Sequence, residues 1–199
     1  MKKNIFKKNN KESGFTIIET MIAIAVFLIV VMIGMGALLN ASLIHNKSQN
    51  MRSIMDNLSF IMEDMSRNLR IGYDYHCIDN GVPTETGPHN CVGTGRGISF
   101  KTPQGEQWVY MMLVDDNGFG YIEKSTAGGI LDSFVRLTPE EINLDGTSQF
   151  FVTGAKVGAE DNLQPFVTIK LVGKITYKGT DTPFSLQTSV SQRQLDRTQ

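Results

Sequence analysis

The sequence predicts an α+β protein in which a long N-terminal α-helix packs against an antiparallel β-sheet. An apolar run of 19 residues without a charge spans Met21–Leu39. Beyond it, apolar residues recur at steps of three, four or seven up to about Ile71, which is the period of an amphipathic helix. Most of the remaining chain alternates between apolar and polar residues, with turn-forming residues between the runs, as β-strands do.

The first 14 residues form a basic leader. Five of the 19 basic residues and one of the 20 acidic residues of the chain lie in it, which leaves 14 basic and 19 acidic residues in 15–199. Basic residues beside an apolar segment tend to stay on the cytoplasmic side of a membrane. The acidic body argues against nucleic acid as a partner, because binding to phosphates needs a basic surface.

Residues 15–44 are predicted to form a hydrophobic transmembrane helix. As an α-helix the run Met21–Leu39 would be about 29 Å long, which matches the hydrocarbon core of a bilayer. The run is longer than the apolar region of an ordinary secretory signal. Glu19 does not fit a plain anchor, because a carboxylate in lipid needs a partner or a route to water. One interpretation places it at the headgroup boundary.

The segment Lys11–Glu19 reads KESGFTIIE and stands between the basic leader and the apolar run. This arrangement resembles the processing signal of type IV prepilins. The resemblance implies that a prepilin peptidase removes residues 1–14 by cutting between Gly14 and Phe15, and that Phe15 is then N-methylated. It also implies that Glu19, the fifth residue of the mature chain, is an assembly residue. Its carboxylate would neutralise the α-amino group of a neighbouring subunit, which offsets the cost of burying both charges.

The resemblance further implies a set of partners and a location. The partners are other pilins or pseudopilins, the prepilin peptidase and methyltransferase, an inner-membrane assembly platform and the lipid bilayer. The chain would span the cytoplasmic membrane once, with its N-terminus in the cytoplasm and its C-terminal domain outside, before it enters a pilus or pseudopilus. No cofactor is implied.

Gly34 and Gly36 lie inside the apolar run, where each lowers helix propensity by about 1 kcal/mol relative to alanine. Two interpretations stay open for them. Small residues permit close packing of helices. In pilins, the helix is also weak near this position, commonly at a proline, and extends when it leaves lipid; here the residue is Gly36.

Residues 45–71 are predicted to continue the helix as an amphipathic segment that ends before Gly72. The apolar positions that recur from Ile44 onwards are the spine on which a sheet would pack: Ile44, Met51, Ile54, Met55, Leu58, Ile61, Met62, Met65 and Leu69. The methionines among them indicate core packing rather than a cofactor site.

Residues 72–199 are predicted to form a β-rich periplasmic or extracellular domain, in which Gly72–Gly97 is a loop rich in turn residues. Cys77 and Cys91 lie in this loop, and a disulfide between them would stabilise the domain by roughly 3 kcal/mol. Because His76 and His89 are close in sequence, a zinc site and unpaired thiols are the alternatives. We assign no metal. The glycines from Gly93 to Gly97 indicate a flexible turn.

Seven strands are expected in the domain: Ile98–Lys101, Gln107–Val114, Tyr121–Ser125, Phe134–Leu137, Gln149–Thr153, Phe166–Tyr177 and Phe184–Val190. Asp115–Gly118 would form a hairpin turn, and calcium is an alternative ligand for its acids. A short helical turn is expected at Leu137–Glu141, with Pro139 near its start. The last two strands would form a hairpin around Gly179–Pro183.

The resemblance implies a structural role, as a minor subunit that starts a filament or lies at its tip. The size of the chain and its bulky β-domain favour a minor subunit, and the pattern of the domain resembles J-type minor pseudopilins. The alternative is a membrane-anchored or tip-displayed binding or adhesion module, whose specificity would lie in loops such as Tyr73–Gly97. An enzyme is not expected, because the three histidines form no recognisable catalytic arrangement.

Overall fold

The computed structural model describes residues 14–79, 81–85, 87–156 and 163–193. The predicted leader, except Gly14, lies outside these residues. The chain divides into two compact units, Met1–Lys47 and Ser48–Gln199. The prediction of one long helix followed by a large antiparallel sheet is confirmed.

Helix α1 spans Ile17–Ile71 without a break. It begins two residues later than predicted, and it ends at the predicted residue. The N–H of Gly72 donates to the carbonyl oxygens of Asn68 (3.0 Å) and Leu69 (3.2 Å). A Cβ at Gly72 would lie 2.4 Å from Cδ2 of Phe100, so a glycine at the end of the helix lets the sheet approach it closely.

In the first unit, α1 carries exposed apolar side chains along its whole length. By length and composition, this helix is able to cross a membrane. Gly34 and Gly36 lie within the regular helix, and both have open space around them.

In the second unit, one face of α1 packs on the sheet. Its fully or almost fully buried residues are Ile54, Leu58, Ile61, Met62, Met65 and Leu69. Their steps of three and four place them on one side of the helix. On the opposite side, Phe60 is 71% exposed. Met62 and Met65 of the predicted spine therefore lie in the core, and Met51 and Met55 pack against it partly buried. The prediction is wrong for Ile44, which is 70% exposed.

The sheet has ten strands, all paired antiparallel. They are β1 (Tyr73–Ile78), β2 (Cys91–Gly95), β3 (Gly97–Lys101), β4 (Gln107–Val114), β5 (Gly120–Ser125), β6 (Phe134–Arg136), β7 (Ile142–Leu144), β8 (Gln149–Thr153), β9 (Phe166–Tyr177) and β10 (Thr180–Ser191). The main path runs β1-β3-β4-β5-β7-β9-β8-β2, and β10 and β6 pair beside β9 and β5.

The two ends of this path meet. A disulfide joins Cys77 in β1 to Cys91 in β2, with their Cα atoms 5.8 Å apart. The N–H of Cys77 donates to the carbonyl oxygen of His89 (3.0 Å), and the N–H of Arg96 donates to that of Ile78 (3.0 Å). The disulfide thus links the first and last strands of the path, and the residues that flank β2 on either side are hydrogen-bonded to β1.

The prediction that Gly72–Gly97 is a loop is wrong, because β1 and β2 lie within it. The glycines there are not a flexible turn. A Cβ at Gly95 would lie 2.6 Å from the sulfur of Cys77, 2.7 Å from that of Cys91 and 2.4 Å from the carbonyl oxygen of Phe150. A glycine inside a strand often marks such a close approach.

Two smaller predictions also need correction. The helical turn at Leu137–Glu141 is a hydrogen-bonded turn, in which the N–H of Ile142 donates to the carbonyl oxygen of Pro139 (3.2 Å) before β7 begins. A short 3-10 helix forms earlier instead, at Leu131–Ser133. In both segments a short strand follows at once, which leaves no room for a longer helix.

The C-terminal hairpin is confirmed, but its turn is tighter than predicted. Lys178 (φ 47°) and Gly179 (φ 73°) form the loop between Tyr177 and Thr180, and two positive φ angles are typical of a type I′ turn. Pro183 lies inside β10, which is an edge strand. Proline is tolerated there where its missing N–H would face away from the sheet.

A partly buried polar cluster joins α1 to the sheet within the second unit. The hydroxyl of Tyr110 accepts a hydrogen bond from Nδ2 of Asn68 (2.9 Å) and donates to Oδ2 of Asp64 (3.3 Å). Nζ of Lys124 lies 3.4 Å from the same carboxylate oxygen. Burial raises the pKa of Tyr110, so its hydroxyl stays protonated and can donate. These bonds fix the position of the helix on β4 and β5.

Candidate processing and assembly site

The predicted cleavage junction lies just before α1. Gly14, Phe15 and Thr16 have no regular secondary structure, and the helix starts at Ile17. The side chain of Phe15 is 81% exposed, and the space around Gly14 is open. The peptide bond between Gly14 and Phe15 therefore lies outside the helix.

Thr16 sets this start of the helix. Its hydroxyl oxygen accepts the N–H of Glu19 (3.3 Å), and its carbonyl oxygen accepts the N–H of Thr20 (3.2 Å). This is the geometry of a helix N-cap, in which a side chain satisfies an N–H that has no partner in the helix. The sequence analysis missed Thr16, although the spacing Thr-x-x-Glu is a known signal for a capped N-terminus.

Glu19 lies in the first turn of α1, where the helix dipole favours a negative charge. Its side chain is exposed, and within the described residues its carboxylate forms no hydrogen bond or ion pair. No group among the residues that the structure describes therefore compensates the charge of Glu19. A carboxylate placed in this way next to an apolar helix can accept a cation from outside the chain.

The second candidate cluster surrounds the predicted disulfide. The structure joins Cys77 and Cys91, as predicted, so neither sulfur is available for the zinc alternative. Nδ1 of His76 bonds to the carbonyl oxygen of Gly87 (2.8 Å), and Nδ1 of His89 bonds to that of Cys77 (3.0 Å). The two imidazole rings stack with centroids 5.1 Å apart. Both histidines therefore hold the segment between β1 and β2 against the sheet.

The acidic turn after β4 is built around one carboxylate. Oδ1 of Asp115 accepts the N–H groups of Asn117 (2.9 Å) and Phe119 (2.8 Å). Gly118 has a positive φ of 81°, which this turn requires. Asp115 thus stabilises the predicted hairpin between β4 and β5.

Comparison with known proteins adds one match. A sequence model described as the prokaryotic N-terminal methylation motif matches residues 9–35. The match covers Gly14, Phe15, Glu19 and most of the apolar run, and it supports a type IV pilin-like prepilin signal. The motif implies processing by a prepilin peptidase and assembly with other pilins, and the apolar helix suggests membrane anchoring. No curated protein and no solved structure matches the chain.

Proposed function

We propose that the chain is a structural minor subunit of a type IV pilus or of a type II secretion pseudopilus, and not an enzyme. One observation carries the proposal. The methylation motif coincides with a junction that lies outside the helix and with a Glu19 carboxylate that has no partner in the described chain. The large β-domain favours a minor subunit over a major one. Its place would be at the start or the tip of the filament.

The mechanism that we propose starts with proteolysis. Prepilin peptidase cuts between Gly14 and Phe15 and leaves the apolar helix on the mature chain. The new α-amino group of Phe15 stays cationic after methylation. When α1 moves from lipid into a bundle of similar helices, this cation pairs with Glu19 of a neighbouring subunit. In that apolar setting an unpaired carboxylate would be costly, so the pairing stabilises the assembled state.

The proposed topology is a single pass through the cytoplasmic membrane. The lysines of the leader would hold the N-terminus in the cytoplasm. Residues 72–199 would lie outside, where an oxidising environment favours the disulfide between Cys77 and Cys91. An inner-membrane assembly platform would then move the subunit into the filament.

Mass spectrometry of the mature N-terminus tests the processing step. After co-expression with a prepilin peptidase, we expect a chain that begins at methylated Phe15. Gly14→Ala should block cleavage, because a Cβ at the cut position obstructs the peptidase, whereas Ser13→Ala should be processed normally. A mature chain that begins downstream of Leu39 would overturn the proposal.

Incorporation into filaments tests the role of Glu19. We expect Glu19→Ala and Glu19→Gln to insert into the membrane normally but to enter filaments at least about tenfold less, since an ion pair in an apolar setting is lost. Glu140→Gln is the matched control, because it removes an exposed carboxylate far along the chain from the motif. Equal incorporation of all variants would contradict the proposed pairing.

A further inference from the structure

A groove follows one flank of α1 in the second unit, between the helix and the edge strand β10. It has a volume of about 350 Å³, and its walls include Ser59, Met62, Glu63 and Ser66 of α1 and Leu186 and Thr188 of β10. Met62 is buried and Leu186 is half-buried, so both walls offer apolar side chains. Glu63 is exposed and gives the groove a negative charge.

The carboxylate of Glu63 remains accessible although it has a partner. Nη2 of Arg67 lies 3.0 Å from its Oε1, one turn further along the helix, and both side chains are largely exposed. An exposed ion pair of this kind is weak, because water screens both charges. A cation from outside the chain can therefore also approach Glu63.

A second surface, which we name the Phe60 patch, lies on another flank of α1. It is formed by Phe60, Arg136, Leu137 and Pro139. Phe60 is 71% exposed, and Arg136 is exposed beside it. The guanidinium of Arg136 lies over the ring of Tyr121, 4.7 Å from its centroid, and its Nε donates to the carbonyl oxygen of Thr138 (3.1 Å). These two contacts hold a cation in place next to an exposed aromatic ring.

The groove and the Phe60 patch lie on nearly opposite sides of α1. At roughly 100° per residue, helix positions 59, 62, 63 and 66 of the groove and positions 57, 60 and 61 beside the patch are centred about 160° apart. Both sets lie at the same level of the helix. A second copy placed beside the first can therefore bring its groove to the patch while the two α1 helices run in the same direction.

We propose that the Phe60 patch of one copy of this chain docks into the groove of a second copy. The ring of Phe60 would enter between Met62 and Leu186, and the guanidinium of Arg136 would face Glu63. An exposed aromatic residue thus meets apolar walls and a cation meets an anion, and aromatic and arginine side chains are the residues that most often anchor interfaces. This complementarity between two surfaces of one chain is what favours a second copy as the partner.

The contact joins two different surfaces, so it is a head-to-tail interface. Each added copy leaves one patch and one groove open, and such a contact continues into a filament wherever its rotation does not close a ring. It rests on the proposed function, because it assumes that the α1 helices of neighbouring subunits run in parallel. It uses none of the residues of the N-terminal motif and adds to the proposed pairing between Phe15 and Glu19.

Chemical cross-linking tests the geometry. In membranes that contain the full-length chain with both Glu63→Cys and Arg136→Cys, a short bismaleimide should give linked dimers and larger species, because each copy offers both sides of the contact. The native cysteines are joined to each other and do not react. The pair Glu106→Cys and Arg136→Cys is the matched control, since Glu106 is exposed and lines neither surface. We expect at least about tenfold more linked chain from the first pair, and equal yields would overturn the inference.

Charge reversal tests the chemistry of the contact. Two differently tagged copies of the chain are co-purified from membranes in mild detergent. Glu63→Arg in both copies, or Arg136→Glu in both, should lower co-purification at least about tenfold, because like charges then face each other. A copy with Glu63→Arg mixed with a copy with Arg136→Glu should recover it, since one contact between them again joins opposite charges. Fluorescence of Trp108 checks the fold, and folded variants that show no recovery on mixing would overturn the inference.

Truncation of the aromatic ring tests the anchor. Phe60→Ala should lower co-purification at least about tenfold. Ile130→Ala is the matched control, because Ile130 is also exposed and apolar but lies outside both surfaces, and it should have no effect. Normal processing at Phe15 with no cross-linked chain would overturn this inference and leave the proposed function standing. A cross-linked chain whose N-terminus is never processed would support the contact and count against the proposed function.

Discussion

Gly95 shows how one residue can determine a local structure. Both sulfurs of the disulfide and the carbonyl oxygen of Phe150 lie so close to Gly95 that a Cβ atom would be only 2.4–2.7 Å from each of them. The composition of residues 93–97 predicted a flexible turn, whereas Gly95 lies in β2 and lets that strand lie directly against the disulfide. No local pattern in the sequence distinguishes these two uses of glycine, because the neighbours come from β1 and β8.

Gly95→Ala should therefore destabilise the domain. The carbonyl oxygen and the two sulfurs cannot move without shifting strands, so we expect a loss of about 2 kcal/mol in the free energy of unfolding. Gly146→Ala is the control, because a Cβ there would meet no atom within 4 Å. Denaturant unfolding of the full-length chain in detergent, followed by fluorescence of its single tryptophan, measures both. Equal unfolding midpoints for the two variants would show that β2 shifts to accommodate the added Cβ at Gly95 without a loss of stability.

Among the elements, α1 has two faces with opposite roles in the second unit. Leu58 is fully buried against the sheet, and Phe60, two residues later, is 71% exposed. Helical geometry places these two residues on opposite sides of α1. Phe60 therefore packs less than Leu58, although its side chain is larger.

We expect Leu58→Ala to lower the free energy of unfolding by about 2–5 kcal/mol, because it leaves a cavity in the core. Phe60→Ala should change it by less than about 0.5 kcal/mol, as an exposed substitution does. The same unfolding experiment in detergent compares them. If Phe60→Ala proved as costly as Leu58→Ala, the exposed face of α1 would have to be a packed surface.

The sequence predicts some elements better than others for physical reasons. Gln107–Val114, Gln149–Thr153 and Phe166–Tyr177 have the predicted bounds, because their apolar runs end at clear turn residues. The strands β1, β2 and β7 were missed. The first two lie among glycines and polar residues, and β7 has only three residues, so long-range pairing rather than local preference makes them strands.

The site near the N-terminus was predicted in more detail than the sheet. Gly14, Phe15 and Glu19 stand in one short segment, and their relation depends on local sequence alone. Thr16, which caps the backbone N–H of Glu19, lies in the same segment, and its role follows from the local spacing Thr-x-x-Glu. The edge of β10 could not be predicted, because it depends on where β7 and β8 pair with β9.

For the whole molecule, the disulfide joins the two ends of the strand order. Replacing both Cys77 and Cys91 by serine should lower the free energy of unfolding by about 3 kcal/mol in the chain-entropy model, because the unfolded chain gains freedom. Thermal unfolding of the oxidised chain, the reduced chain and the double variant measures the effect. If reduction left the midpoint unchanged, the hydrogen bonds between β1 and the residues around His89 would suffice to hold the two ends together.

The position of β9 in the strand order affects when the sheet can be completed. In the strand order of the described chain, β9 lies between β7 and β8 and joins them. Its residues follow those of every other strand except β10. A polypeptide that stopped before residue 166 would carry two half-sheets, β1-β3-β4-β5-β7 and β2-β8, which the disulfide between Cys77 and Cys91 would link at one end while the gap between β7 and β8 stayed open.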